Sequence, residues 1–205
     1  MLIAEHFFLI ACDPRTGLST WPRQRQEASL LAAAALVLDL VAQERLHLRD
    51  GLLRAEMHLP LTHPLLSQAL HLLQTHELQP LPALHLLAHR LDPLPQQILD
   101  GLFRRDLVHR SQTRDWLWRK QLRYPLRSVQ ARNEALHYLR EAAQKDDDSL
   151  HGLALLMLAD ISGLLPLHLQ AREHERATQR LLALNAPQTQ ESRRILGGVR
   201  SALLA

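Results

Sequence analysis

Apolar positions fall along the chain in two patterns, blocks that are apolar on nearly every side and blocks in which apolar residues recur every three or four positions, and each predicts a different place in a fold. The first pattern covers residues 29–44 and 150–165. Helices of that kind belong at the centre of a core, and Ser29 is a suitable N-cap for the first of them. Asp160, inside the second, is expected as a hydrogen-bonded interior carboxylate. The second pattern starts at Thr62-His63-Pro64, where Pro is tolerated in the first turn and Leu65, Leu66, Ala69, Leu70 and Leu73 form a buried stripe. Pro80 and Pro82 are expected to end that unit. Further helices are predicted over 83–91 and 94–105, split by Asp92-Pro93, then over 128–145, 167–184 and 188–204.

Shorter segments fill the gaps. Residues 2–10 read as a short helix or an extended apolar segment, closed by the turn formers of Asp13-Pro14-Arg15-Thr16-Gly17. Residues 46–55 read as a small hairpin around Asp50-Gly51. Residues 107–110 and 116–120 read as two strands about a polar turn at 111–115, with Tyr124-Pro125 stopping the second. The acidic run Asp146-Asp147-Asp148 is expected as a solvated loop before the next helix. The predicted fold class is all-α, a central helical bundle surrounded by amphipathic helices, with one projecting β-hairpin.

Composition narrows the classes of function. Leu makes up nearly a quarter of the 205 residues, aromatics only 4%, and there are seven Gly, which disfavours strands and Gly-rich phosphate loops alike. The length fits a single domain over 1–205. The lone Cys12 excludes an intramolecular disulfide and any Cys-based zinc module, and a reducing compartment fits. Phe7-Phe8-Leu9-Ile10-Ala11-Cys12 imitates the end of a lipoprotein signal without its cationic n-region, so processing is not expected. The longest aliphatic run, 30–41, is too short to span a bilayer and contains Asp39, so membrane contact would be peripheral.

Charge is where the chain departs from an ordinary helical domain. Between Arg104 and Arg132 stand nine of the 24 Lys and Arg residues against two acids, Asp106 and Asp115, with Trp116-Leu117-Trp118 in their midst. Apolar residues ringed by cations suit a bilayer interface, where indoles sit at headgroup depth. They also suit a nucleic-acid backbone. The plain alternative is a hairpin whose indoles pack on the body and whose arginines are solvated.

Taken in order, the pieces resemble the Golgi phosphoprotein 3 family. Residues 2–10 followed by Asp13-Pro14-Arg15-Thr16-Gly17 resemble its opening, an apolar L-x-E-E-x-x-L-L segment running into a D-x-x-x-G turn. Residues 33–40 with Glu44-Arg45-Leu46 resemble a helix ending in G-R-L, and Pro64-Leu65-Leu66-Ser67-Gln68-Ala69-Leu70 is similar to L-L-D-E-A-L. Residues 102–108 take the place of L-V-x-x-G-x-L, and Arg123-Tyr124-Pro125-Leu126 that of T-x-x-P-L. Residues 153–160 are similar to the late apolar helix.

The resemblance implies a helical domain with a projecting hairpin, no enzymatic activity, no cofactor, and a place on the cytosolic face of a membrane. It implies partners of two kinds, anionic lipid, phosphatidylinositol 4-phosphate in eukaryotic members, and the cytosolic tails of membrane proteins. The family's lipid pocket combines a Trp with three basic residues. Trp21 stands where that Trp is expected, and Arg23, Arg25 and Arg90 are the cations nearest the pocket positions. Those positions themselves hold Leu30 to Ala33, and Asp92, Pro93 and Pro95. The membrane or oligomer hairpin comprises Arg114, Trp116, Leu117, Trp118, Arg119, Lys120 and Arg123.

Other functions are weighed against this one. Thirteen histidines include His85 and His89 one turn apart, yet no third ligand or Cys pair is spaced to close a zinc site. No Gly-x-Ser-x-Gly and no Walker loop is present. A winged-helix nucleic-acid binder is the main rival, although residues 94–102 offer no Arg, Lys or Asn to read base edges. A homo-oligomeric adaptor joined through the hairpin, without lipid binding, is the third reading.

Overall fold

The structure, a computed structural model, describes residues 1–18, 25–56, 61–114, 120–144, 149–184 and 190–205, with the backbone alone at 25, 26, 114 and 120. In chain order the elements are α1 (Ile3–Ala11), α2 (Arg25–Ala42), β1 (Leu46–Arg49), β2 (Leu52–Ala55), α3 (Pro64–Gln74), α4 (Pro80–Arg90), α5 (Leu94–Arg104), β3 (Ser111–Arg114), β4 (Lys120–Arg123), α6 (Val129–Gln144), α7 (Leu150–Ile161), α8 (Leu165–His168), α9 (Ala171–Ala183) and α10 (Glu191–Leu204). The fold is mainly helical. Among the described residues the only sheets are two antiparallel hairpins, β1–β2 and β3–β4.

The centre is built from α1, α2 and α7, which pack on one another. In α2 every residue from 31 to 40 is buried, and in α7 every residue from 152 to 159. This is the place their all-round apolar sequence predicts. Residues 2–10, open between helix and strand in the sequence, form α1, and all nine of its residues are buried, including Glu5 and His6. The buried apolar residues make one continuous cluster.

Helix ends follow from local chemistry. Ser149 accepts the Gly152 N–H at 3.2 Å to cap α7, and Ser128 accepts the Ala131 N–H at 3.2 Å ahead of α6. At the C-terminal ends of α2, α5 and α7, Glu44, Asp106 and Gly163 take left-handed backbone with φ of 55°, 64° and 72°. The following N–H in each case bonds five residues back, Arg45 to Leu40, Leu107 to Leu102 and Leu164 to Ala159. These are Schellman ends, for which Gly is the unstrained residue. Glu44 and Asp106 therefore sit at strained positions, and at both the resembled motifs have Gly where this chain does not.

Four expectations need correction. Pro80 does not end a helix; it opens α4 in its first turn, where its missing N–H has no partner to lose. Residues 167–184 are not one helix, since α8 is a separate turn ending at His168 and α9 starts at Ala171. Asp160 is hydrogen-bonded but not interior: its side chain is 30% exposed and accepts from Arg200 of α10 at 3.4 Å, while its neighbours Leu158, Ala159 and Ile161 are buried. The β3–β4 pairing is shifted. Strand β3 occupies part of the predicted polar turn, and β4 runs to Arg123, as Ser111 pairs with Arg123 and Arg114 with Lys120.

The shift has a physical origin at the base of the hairpin. Val108, 3% exposed, bridges Leu126 in the same register as the β3–β4 ladder, so core packing at the base sets which residues meet farther out. Two backbone bonds, Tyr124 N–H to Gly17 O and Leu126 N–H to Pro14 O, tie this base to the turn after α1. Gly17 has φ of 66°, and a Cβ there would stand 2.2 Å from the Pro125 nitrogen. Asp13 closes the turn by accepting from the Arg15 and Thr16 N–H groups and the Thr16 hydroxyl, which holds its carboxyl below the usual range. The Asp-x-x-x-Gly spacing is thus a hairpin socket.

Candidate functional site

Two adjoining features carry polar chemistry, the basic hairpin and a cleft beside its base. The hairpin is anchored through Tyr124, which is 3% exposed and donates its hydroxyl to Asp100 Oδ1 at 2.8 Å. Burial, reinforced by that carboxylate, pushes the phenol pKa up. Arg110 lies 3.6 Å from the same Asp100 oxygen. Farther out, Ser111 and Gln112 are exposed, and the ladder ends with Arg114 and Lys120 as cross-strand partners. Like charges placed directly opposite destabilise a strand pair.

The cations of this stretch divide into two sets. Arg105, Arg110 and Arg127 face carboxylates of the chain itself, Glu5, Asp100 and Asp106. Arg123 is half-buried on β4, with its guanidinium 3.5 Å from Gln121 Oε1. Arg114 and Lys120 end the ladder. Trp116, Leu117, Trp118 and Arg119 lie outside the described residues, as do Trp21 and Arg23 and the acidic run at 146–148. Of the remaining headgroup candidates, Arg25 begins α2, and Arg90 is exposed in the last turn of α4. At the positions the resemblance assigned to basic pocket residues, Pro93 is the N-cap of α5 and Pro95 lies in its first turn, after an exposed Asp92.

The cleft, about 440 Å³, opens between the start of α1, the start of α3 and the face of α5. Leu2, Leu36, Leu65 and Ile98 supply apolar wall, while Glu5, His63, Gln97, Asp100, Arg104 and Arg105 supply polar groups. Asp100 belongs to both features, so the cleft and the hairpin base share a wall. Glu5 is 2% exposed. Its Oε2 accepts from the Leu2 N–H at 3.0 Å and from Arg105 at 2.5 Å. Behind it, Asp39 of α2 accepts from the Ile3 and Ala4 N–H groups at 2.7 and 3.0 Å. Two carboxylates therefore complete the positive end of α1. Burial pushes Asp39 up to about 7, opposed by the two backbone donors.

Next to this end, His6 Nδ1 and His151 Nε2 are 2.7 Å apart, and both rings lie against Tyr138. Burial pulls His6 down to about 3 and His151 to about 4, so the pair is neutral at pH 7. Cys12 is buried, and its thiol is pushed up to about 12, which leaves it unreactive. Among the described residues no group of three or more His, Cys, Asp or Glu is placed to hold a metal ion, and His85 and His89 are both exposed.

Glu5, His63 and Arg105 are site residues that the sequence pattern does not single out. A signal was present for the first, a Glu-His pair inside an otherwise apolar nine-residue segment. His63 and Arg105 carried none, because only the packing of α5 against α1, and of α3 on α2, brings them to Glu5.

The family description Golgi phosphoprotein 3 (GPP34) matches residues 3–203, nearly the whole chain. The chain belongs to the Golgi phosphoprotein 3 family. Compared with curated proteins, it matches none. The GPP34 family is not known as one of enzymes. Among the described residues of this member, no helix is long and apolar enough to cross a membrane.

Proposed function

We propose that this protein is a non-catalytic peripheral membrane protein that meets anionic lipid on the cytosolic face of a membrane through the β3–β4 hairpin. One observation carries the reading: Arg114 and Lys120 are cross-strand partners at the outer end of a ladder whose base is pinned to the core by Tyr124, Val108 and the Gly17 turn. Like charges at paired positions of a ladder are unfavourable in water, and cations are favourable against an anionic surface. The sequence Trp116-Leu117-Trp118 between them supports the same reading, since indoles partition to headgroup depth. Recognition is by charge density, because the family's basic pocket positions are occupied by Asp92, Pro93 and Pro95.

Vesicle co-sedimentation tests it. Replacing Arg114, Arg119, Lys120 and Arg123 by Gln is expected to weaken binding to phosphatidylglycerol vesicles by roughly 2–4 kcal/mol, at about 1 kcal/mol per cation. Salt should weaken the wild type through screening, and Trp116→Ala with Trp118→Ala should weaken what persists at high salt. Vesicles of equal charge made with phosphatidylinositol 4-phosphate should bind no better. Wild-type binding by the quadruple variant would end the assignment, a preference for duplex DNA would favour the nucleic-acid reading, and loss of assembly with retained lipid binding would favour the oligomer reading.

A further inference from the structure

Glu5 carries chemistry that the hairpin does not use. Its two oxygens are in different states: Oε2 takes Leu2 N–H and Arg105, whereas Oε1 has no hydrogen-bond partner among the described residues. His63 Nε2 stands 3.8 Å from Oε1, beyond hydrogen-bond range, and burial holds that imidazole below its ordinary pKa. A carboxylate oxygen removed from water without a donor is unfavourable, and a ligand that brings an N–H relieves it. An anion would find no welcome at this depth. The positive end of α1 is already met by Asp39 and Glu5, so a further anion there would meet two carboxylates already in place.

The rim has the opposite sign. Arg104 and Arg105 are exposed where α5 ends, while Asp100, the other carboxylate of the lining, is held by Tyr124 and Arg110. Between floor and rim the wall is apolar, from Leu2, Leu36, Leu65 and Ile98. The occupant this order selects has a hydrogen-bonding cation leading, a short aliphatic link, and an anion trailing. A phosphate suits two guanidiniums, since its peripheral oxygens, three in a monoester and two in a lipid's diester, can be shared between two forks.

We propose that the cleft binds an aminoethyl phosphate group, with its primary ammonium on Glu5 Oε1 and its phosphate on Arg104 and Arg105. The group has two sources, the headgroup of phosphatidylethanolamine and free phosphoethanolamine. This goes beyond the hairpin reading and rests on none of the hairpin residues.

The experiment titrates the full chain with phosphoethanolamine by calorimetry or NMR, with phosphocholine as the comparison, and repeats it with Glu5→Gln and Arg104→Gln. Saturable binding to the wild type is expected. Phosphocholine and each variant should bind at least about tenfold more weakly, since each removes one charge-assisted hydrogen bond. Arg104 is exposed, so its variant tests the site even where Glu5→Gln impairs folding. Phosphatidylcholine vesicles with and without phosphatidylethanolamine, free of anionic lipid, then separate the sources: binding to them as well as to the soluble compound assigns a lipid headgroup, and binding to the soluble compound alone assigns a free ligand. No saturation by phosphoethanolamine up to about 10 mM, equal affinity for phosphocholine, or an unchanged Arg104→Gln would overturn the proposal. Failure of the hairpin reading shows separately, on phosphatidylglycerol vesicles.

Discussion

The centre of the bundle and the β3–β4 hairpin are held by different forces. In α2, ten consecutive residues are buried, and the element stays in place because moving it would return their apolar surface to water. In β3, Ser111 and Gln112 are exposed, and the strand is held by backbone pairing to β4 and by what its base grips. Side chains determine the first region and anchorage the second. A change inside the bundle is therefore felt as lost packing, whereas the outer hairpin is free to carry charges that the fold does not need.

Gly17, where the two regions join, should show the largest effect. Ala at this position would place a Cβ 2.2 Å from the Pro125 nitrogen and the Tyr124 carbonyl carbon, at a φ of 66° that side chains resist. The obstruction is backbone, so the hairpin base must move. We expect Gly17→Ala to destabilise by roughly 2–4 kcal/mol, combining overpacking with the left-handed penalty. Urea melts measure the loss, and amide exchange should show β3 and β4 opening ahead of α2 and α7. Uniform opening would mean that the hairpin and the centre are one unit.

The same contrast explains what the sequence revealed. Helices α2 and α7 were legible because burial on all sides leaves a composition that no surface element shares. The stripe of α3 was legible residue by residue, as Leu65, Leu66, Ala69, Leu70 and Leu73 are all buried. The register of the outer hairpin was hidden, since Ser111-Gln112-Thr113-Arg114 has no apolar alternation and its pairing is inherited from Val108 and Leu126. Of the cleft, Glu5 was visible as an acid in an apolar run, but Arg105 reaches it from 100 residues away. Such pairing is a property of how helices pack, not of local pattern.

Acidification should weaken the centre and spare the hairpin. His6 and His151 have pKa values of about 3 and about 4 in the fold, below the ordinary 6.5, so the unfolded chain takes up protons first as pH falls through 6.5. Their contribution is complete above that pH and is lost below it. His63 and His168, also lowered by burial, act in the same direction. Asp39 opposes them, because a carboxyl raised to about 7 stabilises the fold more as pH falls toward 4. Between pH 7 and 5 the histidines outnumber it. With His151 discounted for its partial exposure, the net loss should be on the order of 1 kcal/mol, read as a lower melting temperature at pH 5. Asp39→Asn, which removes the opposing group, should steepen the fall; a flat profile in both proteins would show that the histidine pair is not held neutral by burial.

The smallest effect on stability belongs to the residues given the largest role in binding. Arg114 and Lys120 are backbone partners in the ladder, and like charges at paired positions are worth a few tenths of a kcal/mol against it. Arg114→Thr removes the repulsion and substitutes a β-branched residue that strands favour. Stability should therefore rise slightly, by roughly 0.2–0.5 kcal/mol at low salt. The gain should shrink as salt is added, because screening weakens the repulsion in the parent chain. Anionic vesicle binding should fall in the same variant. A chemical melt and a co-sedimentation assay on one preparation check both signs together. Should Arg114→Thr instead destabilise the chain, Arg114 would be part of what holds the hairpin, and the division between a packed centre and a hairpin free to carry charge would fail at its outermost pair.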